Sequence, residues 1–276
     1  MELSTLKIIN KLKQSLFRDK QLWPRPTYLR GDEPHFIFLL TPSYSGSTAI
    51  AKLLQTSPHI GSLHNKAEGQ WLIPGLKKGD RWEQNKFVDY KSVKTVWLAK
   101  YQQIKKERPL CEYIIEKSPP NMMRINELAK QFKSYSLVAN NRNPYANCAS
   151  MLFRNHDVVN LDQQAREKII SNLVDLWVIR SNQIKMLVVN QTIPLLTYED
   201  FCGEPELLID NLQISEKIKN TINTKQCVQV KDYLPQPIKN QNERQISLLK
   251  ESDIQLITKQ LNNHDDLLKF FGYQFI

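Results

Sequence analysis

The residues best equipped for chemistry fall in four short stretches. The first is Pro42-Ser43-Tyr44-Ser45-Gly46-Ser47-Thr48, lying between the apolar run Phe36–Leu40 and a segment with Ile50, Leu53 and Leu54 at helical spacing. Strand, small-residue loop and helix start would gather backbone N–H groups and the positive end of a helix dipole around one point, which suits phosphate or sulfate. An ordinary strand-to-helix turn capped by Ser or Thr would have the same composition. The second stretch, Asn141-Arg142-Asn143-Pro144, places a planar cationic fork at a strand end, with the hydroxyl of Ser150 eight residues on. A ligand lying along the intervening helix would meet Arg142 at its mouth and Ser150 further in. Arg142 paired with a carboxylate, with Ser150 incidental, is the competing expectation. The third, Glu116-Lys117-Ser118-Pro119-Pro120, puts Lys117 either at a crevice or in solvent beside Glu116. The fourth is the polar loop His59–Gly69, which carries His64 and Glu68; an imidazole there would titrate near neutrality.

These stretches need a scaffold that aims them at one place. Short apolar runs at Phe36–Leu40, Glu112–Glu116, Ser136–Asn140 and Ile193–Thr197 predict strands, and each ends in a polar loop. Helical patterns follow from Ser47, over Asn121–Phe132, from Pro144 to about Arg154, and over Leu161–Val189. Strands alternating with helices predict a parallel α/β sheet, with the loops at 41–48, 117–120 and 141–144 sharing the crevice at the strands' carboxyl ends. Residues 70–106 read as mostly helical, with a break near Pro74–Asp80, and residues 59–108 as a whole form a helical insertion. Met1–Lys20 reads as an amphipathic helix packed on the domain, and Trp23-Pro24-Arg25-Pro26 as an extended linker. The C-terminal part reads as helical, interrupted at Tyr233–Pro237.

Composition bounds the partners. The chain has 276 residues, 41% hydrophobic and 24% charged, which is a globular composition with material for a full core. Its 38 Lys+Arg exceed its 28 Asp+Glu by 10, a balance that favours polyanionic ligands without choosing among them. Cys111, Cys148, Cys202 and Cys227 are widely spaced with no C-x-x-C, so neither a zinc site nor a disulfide framework is expected, and a reducing cytoplasm is the simpler setting. No apolar run approaches membrane-span length, no signal-peptide pattern opens the chain, and no nucleic-acid motif stands out.

In order and spacing, PSYSGST, EKSPP, NRNPYANCAS and IPLLTYEDFCGEPE resemble the PAPS-dependent sulfotransferases, over roughly residues 34–215. The branch that includes tyrosylprotein and bacterial natural-product sulfotransferases is the most similar. The resemblance implies an α/β, P-loop-like three-layer fold, with a central parallel sheet of about four to five strands flanked by helices. It implies one domain over 1–276: an N-terminal helix and linker (1–30), an α/β core (34–215) with the insertion at about 59–108, and a helical C-terminal part (216–276). It further implies that Ser43, Tyr44, Ser45, Gly46, Ser47 and Thr48 hold the 5′-phosphosulfate of 3′-phosphoadenosine-5′-phosphosulfate (PAPS), and that Arg142 and Ser150 hold its 3′-phosphate. Lys239 or Lys231 would close over the nucleotide. The run from Glu68 to Pro74 resembles the segment that carries the family's catalytic Glu, so Glu68 is the expected base, with His64 the alternative. Lys117 is the expected catalytic cation. The family usually has Lys or Arg where this chain has Tyr44, so positive charge must come from elsewhere. Glu199 and Asp200 fall in a structural hallmark and are expected to be fold contacts.

The expected reaction is transfer of a sulfuryl group from PAPS, without metal, to a hydroxyl or amine of a small organic acceptor, for which a bacterial secondary metabolite is compatible. A catalytically impaired nucleotide binder and a P-loop nucleotide kinase are the alternatives. The second would call for G-x-x-x-x-G-K-[ST], which this loop lacks.

Overall fold

The computed structural model describes residues 32–73, 82, 83, 85, 87–230 and 234–276. The N-terminal helix expected over Met1–Lys20, the linker after it and Lys231 lie outside these residues. Five strands form one parallel sheet: β1 (His35–Leu40), β2 (Ile60–Gly61), β3 (Tyr113–Glu116), β4 (Tyr135–Asn141) and β5 (Leu195–Thr197), in the order β2-β3-β1-β4-β5. The parallel sheet with flanking helices is therefore as expected. The two-residue β2 was not anticipated: it sits inside the loop read as wholly polar, and two residues carry no periodicity to recognise.

β1 is the centre of the molecule. Phe36 to Leu40 are at most 1% exposed, as befits a strand covered on both faces. Alternate side chains enter two separate cores. Phe36, Phe38 and Leu40 join Trp97, Phe132 and Trp177 on one face; Ile37 and Leu39 join Ile50, Leu53, Leu54 and Phe201 on the other. Phe36 and Phe132 ring centroids lie 4.2 Å apart, with Trp97 stacked beside them.

α1 (Ser47–Leu54) follows β1 directly, and α2 (Tyr90–Glu107) carries Trp97 into the first core. The expected helix over Asn121–Phe132 is instead a 3-10 turn (Pro119–Met123) and the short α3 (Ile125–Ala129). Pro119 and Pro120 open the 3-10 turn, where their missing amides cost no hydrogen bond. α4 (Pro144–Asn155) begins on a proline after the Asn143 cap, and α5 (Gln163–Gln191) is the long helix expected from its apolar spacing. α6 (Tyr198–Gly203) starts immediately after β5, with Thr197 and Asp200 forming a capping box. Beyond the short helices α7 (Glu206–Asn211) and α8 (Glu216–Lys219), the C-terminal part is less helical than expected. Residues 220–230 and 234–241 run without regular structure apart from one bridge, Val228 with Gln236, before α9 (Asn242–Ile246), α10 (Glu251–Leu261) and α11 (Asp265–Phe270). Among the described residues no helix is long and apolar enough to cross a membrane.

A buried ion pair fastens α10 to α5. Arg166 Nε and Nη2 donate to Asp253 Oδ1 (2.9 Å) and Oδ2 (2.5 Å), with the two side chains 4% and 2% exposed. Burial alone would raise the Asp253 pKa, but the Arg166 fork and the Lys250 amide together outweigh it and hold the carboxyl below its ordinary value. Arg166→Ala should cost about 3–5 kcal/mol of stability in urea denaturation, because it strands a buried carboxylate. In the wild-type protein Asp253's share of stability should be present above the ordinary Asp range, near pH 4, and be lost as pH falls below it.

Candidate functional site

Parallel pairing places three loops side by side. Phe38 of β1 is opposite Glu116 of β3, and Leu40 is opposite Ala139 of β4, so the loop after β1 runs between the Lys117 turn and the Arg142 turn. Thr41 donates to Asn140 Oδ1 across the first junction (2.8 Å).

The loop itself is bent by two left-handed residues, Tyr44 (φ 65°) and Gly46 (φ 80°). Gly46 caps α1 through its backbone, and a Cβ there would run into the ring of Tyr198. Its carbonyl accepts from the Ala49 and Ile50 amides, leaving the earlier amides of the helix start without intrahelical partners. Asn147 of α4 holds the loop from below, donating to Ser43 O (2.9 Å) and Ser45 Oγ (3.2 Å). Ser45 and Ser47 are buried, while Ser43, Gly46 and Thr48 are partly exposed along the rim. Tyr44 contributes differently from its loop neighbours: its hydroxyl donates to Asn155 Oδ1 (2.6 Å) at the far end of α4, and its carbonyl faces Arg142.

Arg142 is 5% exposed. Nε donates to Asn242 Oδ1 (2.9 Å), Nη1 donates to Tyr44 O (3.1 Å), and the guanidinium lies 4.3 Å from the centroid of the Tyr198 ring. Nη2 is buried and has no hydrogen-bond partner among the described residues. Burial lowers the Arg142 pKa, but a guanidinium starts so high that it stays charged. The carboxylate pairing weighed for Arg142 is not what holds it. The neighbouring Glu199 is engaged elsewhere, accepting from Asn143 N (3.0 Å), Asn242 Nδ2 (2.5 Å) and the Tyr273 hydroxyl (3.3 Å). A charged donor is thus buried beside the loop with its Nη2 amino group unused among the described residues, and such a group is costly unless an anion meets it. Ser150 sits half-buried on α4, two turns beyond. Lys239 has an exposed side chain, and its carbonyl accepts from the Tyr198 hydroxyl (3.2 Å), which places its backbone at the hydroxyl end of the same ring.

On the other side of the loop, Lys117 Nζ donates to Glu68 Oε1 at 2.9 Å, with side chains 3% and 18% exposed. Two residues 49 apart in sequence are thereby brought together. Glu68 Oε2 also accepts from Trp71 Nε1 (2.7 Å). His64 is close enough to feel Glu68 and Lys117, and its pKa is depressed by burial first and by Lys66 next, which favours the neutral ring. Glu116 is buried to 1% exposure, and burial pushes its pKa up to about 7.

Four supporting residues were not singled out from the sequence. Asn147 and Asn242 look like any polar helix residue, and Glu116 reads as the partner of its neighbour Lys117. Tyr198 belonged to a recognised segment, but its role as a lid on Gly46 and Arg142 depends on β5 lying beside β4. The Gly46–Tyr198 contact is open to test. Gly46→Ala should destabilise the protein by roughly 1–3 kcal/mol in thermal or urea unfolding, from the left-handed backbone and the ring clash together. In a Tyr198→Ala background the same substitution should cost only the backbone part, about 1 kcal/mol.

No protein-family model matches the sequence, and no curated protein matches it at a significant level. Solved structures do match. A sulfotransferase from Alicyclobacillus acidocaldarius aligns with a TM-score of 0.52 and 12% identity, over 88% of this chain and 98% of that one. Sulfotransferase STF1 from Mycobacterium tuberculosis H37Rv aligns with a TM-score of 0.50 and 12% identity, over 72% and 73%. Likeness at such identity concerns architecture rather than activity. The chain has the fold of the sulfotransferases.

Proposed function

We propose that this protein transfers a sulfuryl group from PAPS to a hydroxyl or amine of a small organic acceptor, releasing adenosine 3′,5′-bisphosphate. The observation that carries this reading is Arg142: a buried guanidinium beside a helix-start loop, with an NH₂ group that finds no partner among the described residues. A phosphate is a fitting complement, and Ser150 on the same helix adds a hydroxyl donor. Gly46, Ser47 and Thr48 offer the amides for the second anionic end of the donor. PAPS supplies the activated sulfur and the leaving phosphate.

The chain's own residues would do the rest by position and charge. Lys117 takes the role of the cation near the bridging oxygen, which the loop cannot fill because Tyr44 is neutral and its hydroxyl is turned to Asn155. Glu68 accepts the proton of the acceptor as its oxygen or nitrogen bonds to sulfur, and the electron pair of the broken S–O bond goes to the 5′-phosphate. The Lys117–Glu68 contact keeps both groups at one spot. A hollow of about 30 Å³, lined by Gln70, Tyr90, Trp97, Asn121 and Arg124 among others, lies on the Trp97 side of the sheet and has room for water rather than for an organic acceptor. Among the aromatics of the insertion, Trp97 and Tyr101 are core, Trp71 is half exposed, and Trp82 stacks on Arg180 (4.1 Å).

Calorimetric titration with adenosine 3′,5′-bisphosphate in the absence of metal, beside ATP with Mg²⁺, tests the reading. Micromolar binding of the bisphosphate and weak binding of ATP are expected; the reverse preference would reject it. Bisphosphate binding with no consumption of PAPS would favour the impaired binder. Arg142→Ala should weaken the bisphosphate by about 10- to 100-fold, the scale of a charge-assisted hydrogen bond or two, and adenosine 5′-phosphate hardly at all. Lys117→Ala should lower turnover by about 100-fold or more while leaving bisphosphate affinity near wild type, and wild-type turnover in that variant would move the catalytic cation elsewhere.

A further inference from the structure

Glu116 is buried next to the proposed catalytic pair, yet it has no part in the chemistry above. Its carboxylate stands between two segments far apart in sequence. Oε2 accepts from the Gly69 amide (2.6 Å); Oε1 accepts from the Ser118 amide (2.9 Å) and from Asn121 Nδ2 (3.1 Å). Gly69 directly follows Glu68, and Ser118 directly follows Lys117.

The approach on the Gly69 side requires glycine. A Cβ there would lie 2.9 Å from Glu116 Oε2 and 2.9 Å from the Trp97 ring, closer than real Cβ atoms come. Trp97 Nε1 fixes the same residue from behind by donating to Gly69 O (3.0 Å). A second strap runs parallel, where the Lys117 amide donates to Ala67 O (2.8 Å). The two segments are therefore joined on both sides of the point where the Glu68 and Lys117 side chains meet.

We propose that Glu116 is the positioning residue of the sulfuryl-transfer site, setting the separation of Glu68 and Lys117 by holding the amide that follows each of them. The inference rests on Glu68 and Lys117 acting as assigned above. Alternate residues of a strand point to opposite faces, so Glu116 enters the Trp97 side of the sheet and Lys117 the other. Glu116 thus fixes the frame without touching the reacting atoms. Above about pH 7, where the carboxyl is ionised, three donors match what Glu116 accepts, whereas an amide in its place must turn an NH₂ group towards at least one of them.

Glu116→Gln keeps the size and shape of the side chain and tests the assignment in the full chain. The readout is hydrolysis of PAPS with water as acceptor: the water oxygen bonds to sulfur, its proton goes to Glu68, and the S–O bond to the 5′-phosphate breaks with its electron pair on the phosphate. The variant should bind adenosine 3′,5′-bisphosphate within about 2-fold of wild type and keep its KM for PAPS, while kcat falls by about 10-fold or more. Asn121→Ala removes one of the three donors and leaves the carboxylate, so its kcat should fall by a smaller factor, about 2- to 5-fold. Wild-type kcat in Glu116→Gln overturns the inference, as does a loss of bisphosphate affinity in step with kcat, which would mark a general structural role. A wild-type protein that neither binds the bisphosphate nor consumes PAPS overturns the sulfuryl-transfer reading itself, and this inference with it.

Discussion

β1 is hydrogen-bonded on both edges and covered on both faces, and most of what is distinctive here follows from that confinement. A strand in this position has no freedom to slide, because a one-residue slip would exchange the side chains of the two cores. Its neighbours are aligned to it in parallel, so all three polar loops leave the sheet at the same edge. Lys117 and Arg142 come from strands on opposite sides of β1, and the loop between them belongs to β1 itself. Each group that bears on the candidate site is thus referred to one buried strand, and the hydrophobic ordering of Phe36–Leu40 becomes positional accuracy for charges that lie beyond it.

The electrostatics on the two sides of the loop differ in kind. On the Lys117 side, opposite charges meet directly at 2.9 Å, and the neighbouring buried carboxylate is satisfied by amides. On the Arg142 side, the cation is surrounded by neutral acceptors and an aromatic face, while Glu199 is held back by an amide, an asparagine and a tyrosine. Asn242 is the spacer: it donates to Glu199 and accepts from Arg142, which separates two charges that would otherwise neutralise each other. A guanidinium kept from a carboxylate in this way retains its attraction for an external anion.

The arrangement of strands was legible because the apolar runs are short, bounded and separated by helical periodicity. The runs read at 36–40, 112–116, 136–140 and 193–197 became strands within a residue or two of those bounds. The loop, the Arg142 turn and the Glu68 and Lys117 segments were legible as motifs, although their contacts were not. That Lys117 meets Glu68 rather than its neighbour Glu116 follows from the alternation of side chains along β3, a matter of which face each residue enters. The helix read over Asn121–Phe132 was overestimated because Met122, Ile125 and Leu128 recur every three residues, a spacing that a 3-10 turn satisfies as well as an α-helix. Tyr198, Asn147 and Asn242 were invisible for a simpler reason: their partners are 40 to 150 positions away, and polar side chains of ordinary type carry no sign of which partner they will find.

α4 touches the candidate site at several points along its length. Asn143 caps it beneath Arg142, Asn147 grips Ser43 and Ser45, Ser150 presents a hydroxyl, and Asn155 takes the hydroxyl of Tyr44. A helix advances about 1.5 Å per residue and does not stretch, so these points form a graduated scale with fixed spacings. Any ligand that engages the loop at one end and Ser150 at the other is being measured for length. Discrimination between anions of similar charge then becomes a question of span, and a single residue inserted into or removed from α4 would recalibrate the scale by one step while turning every mark on it by about 100°.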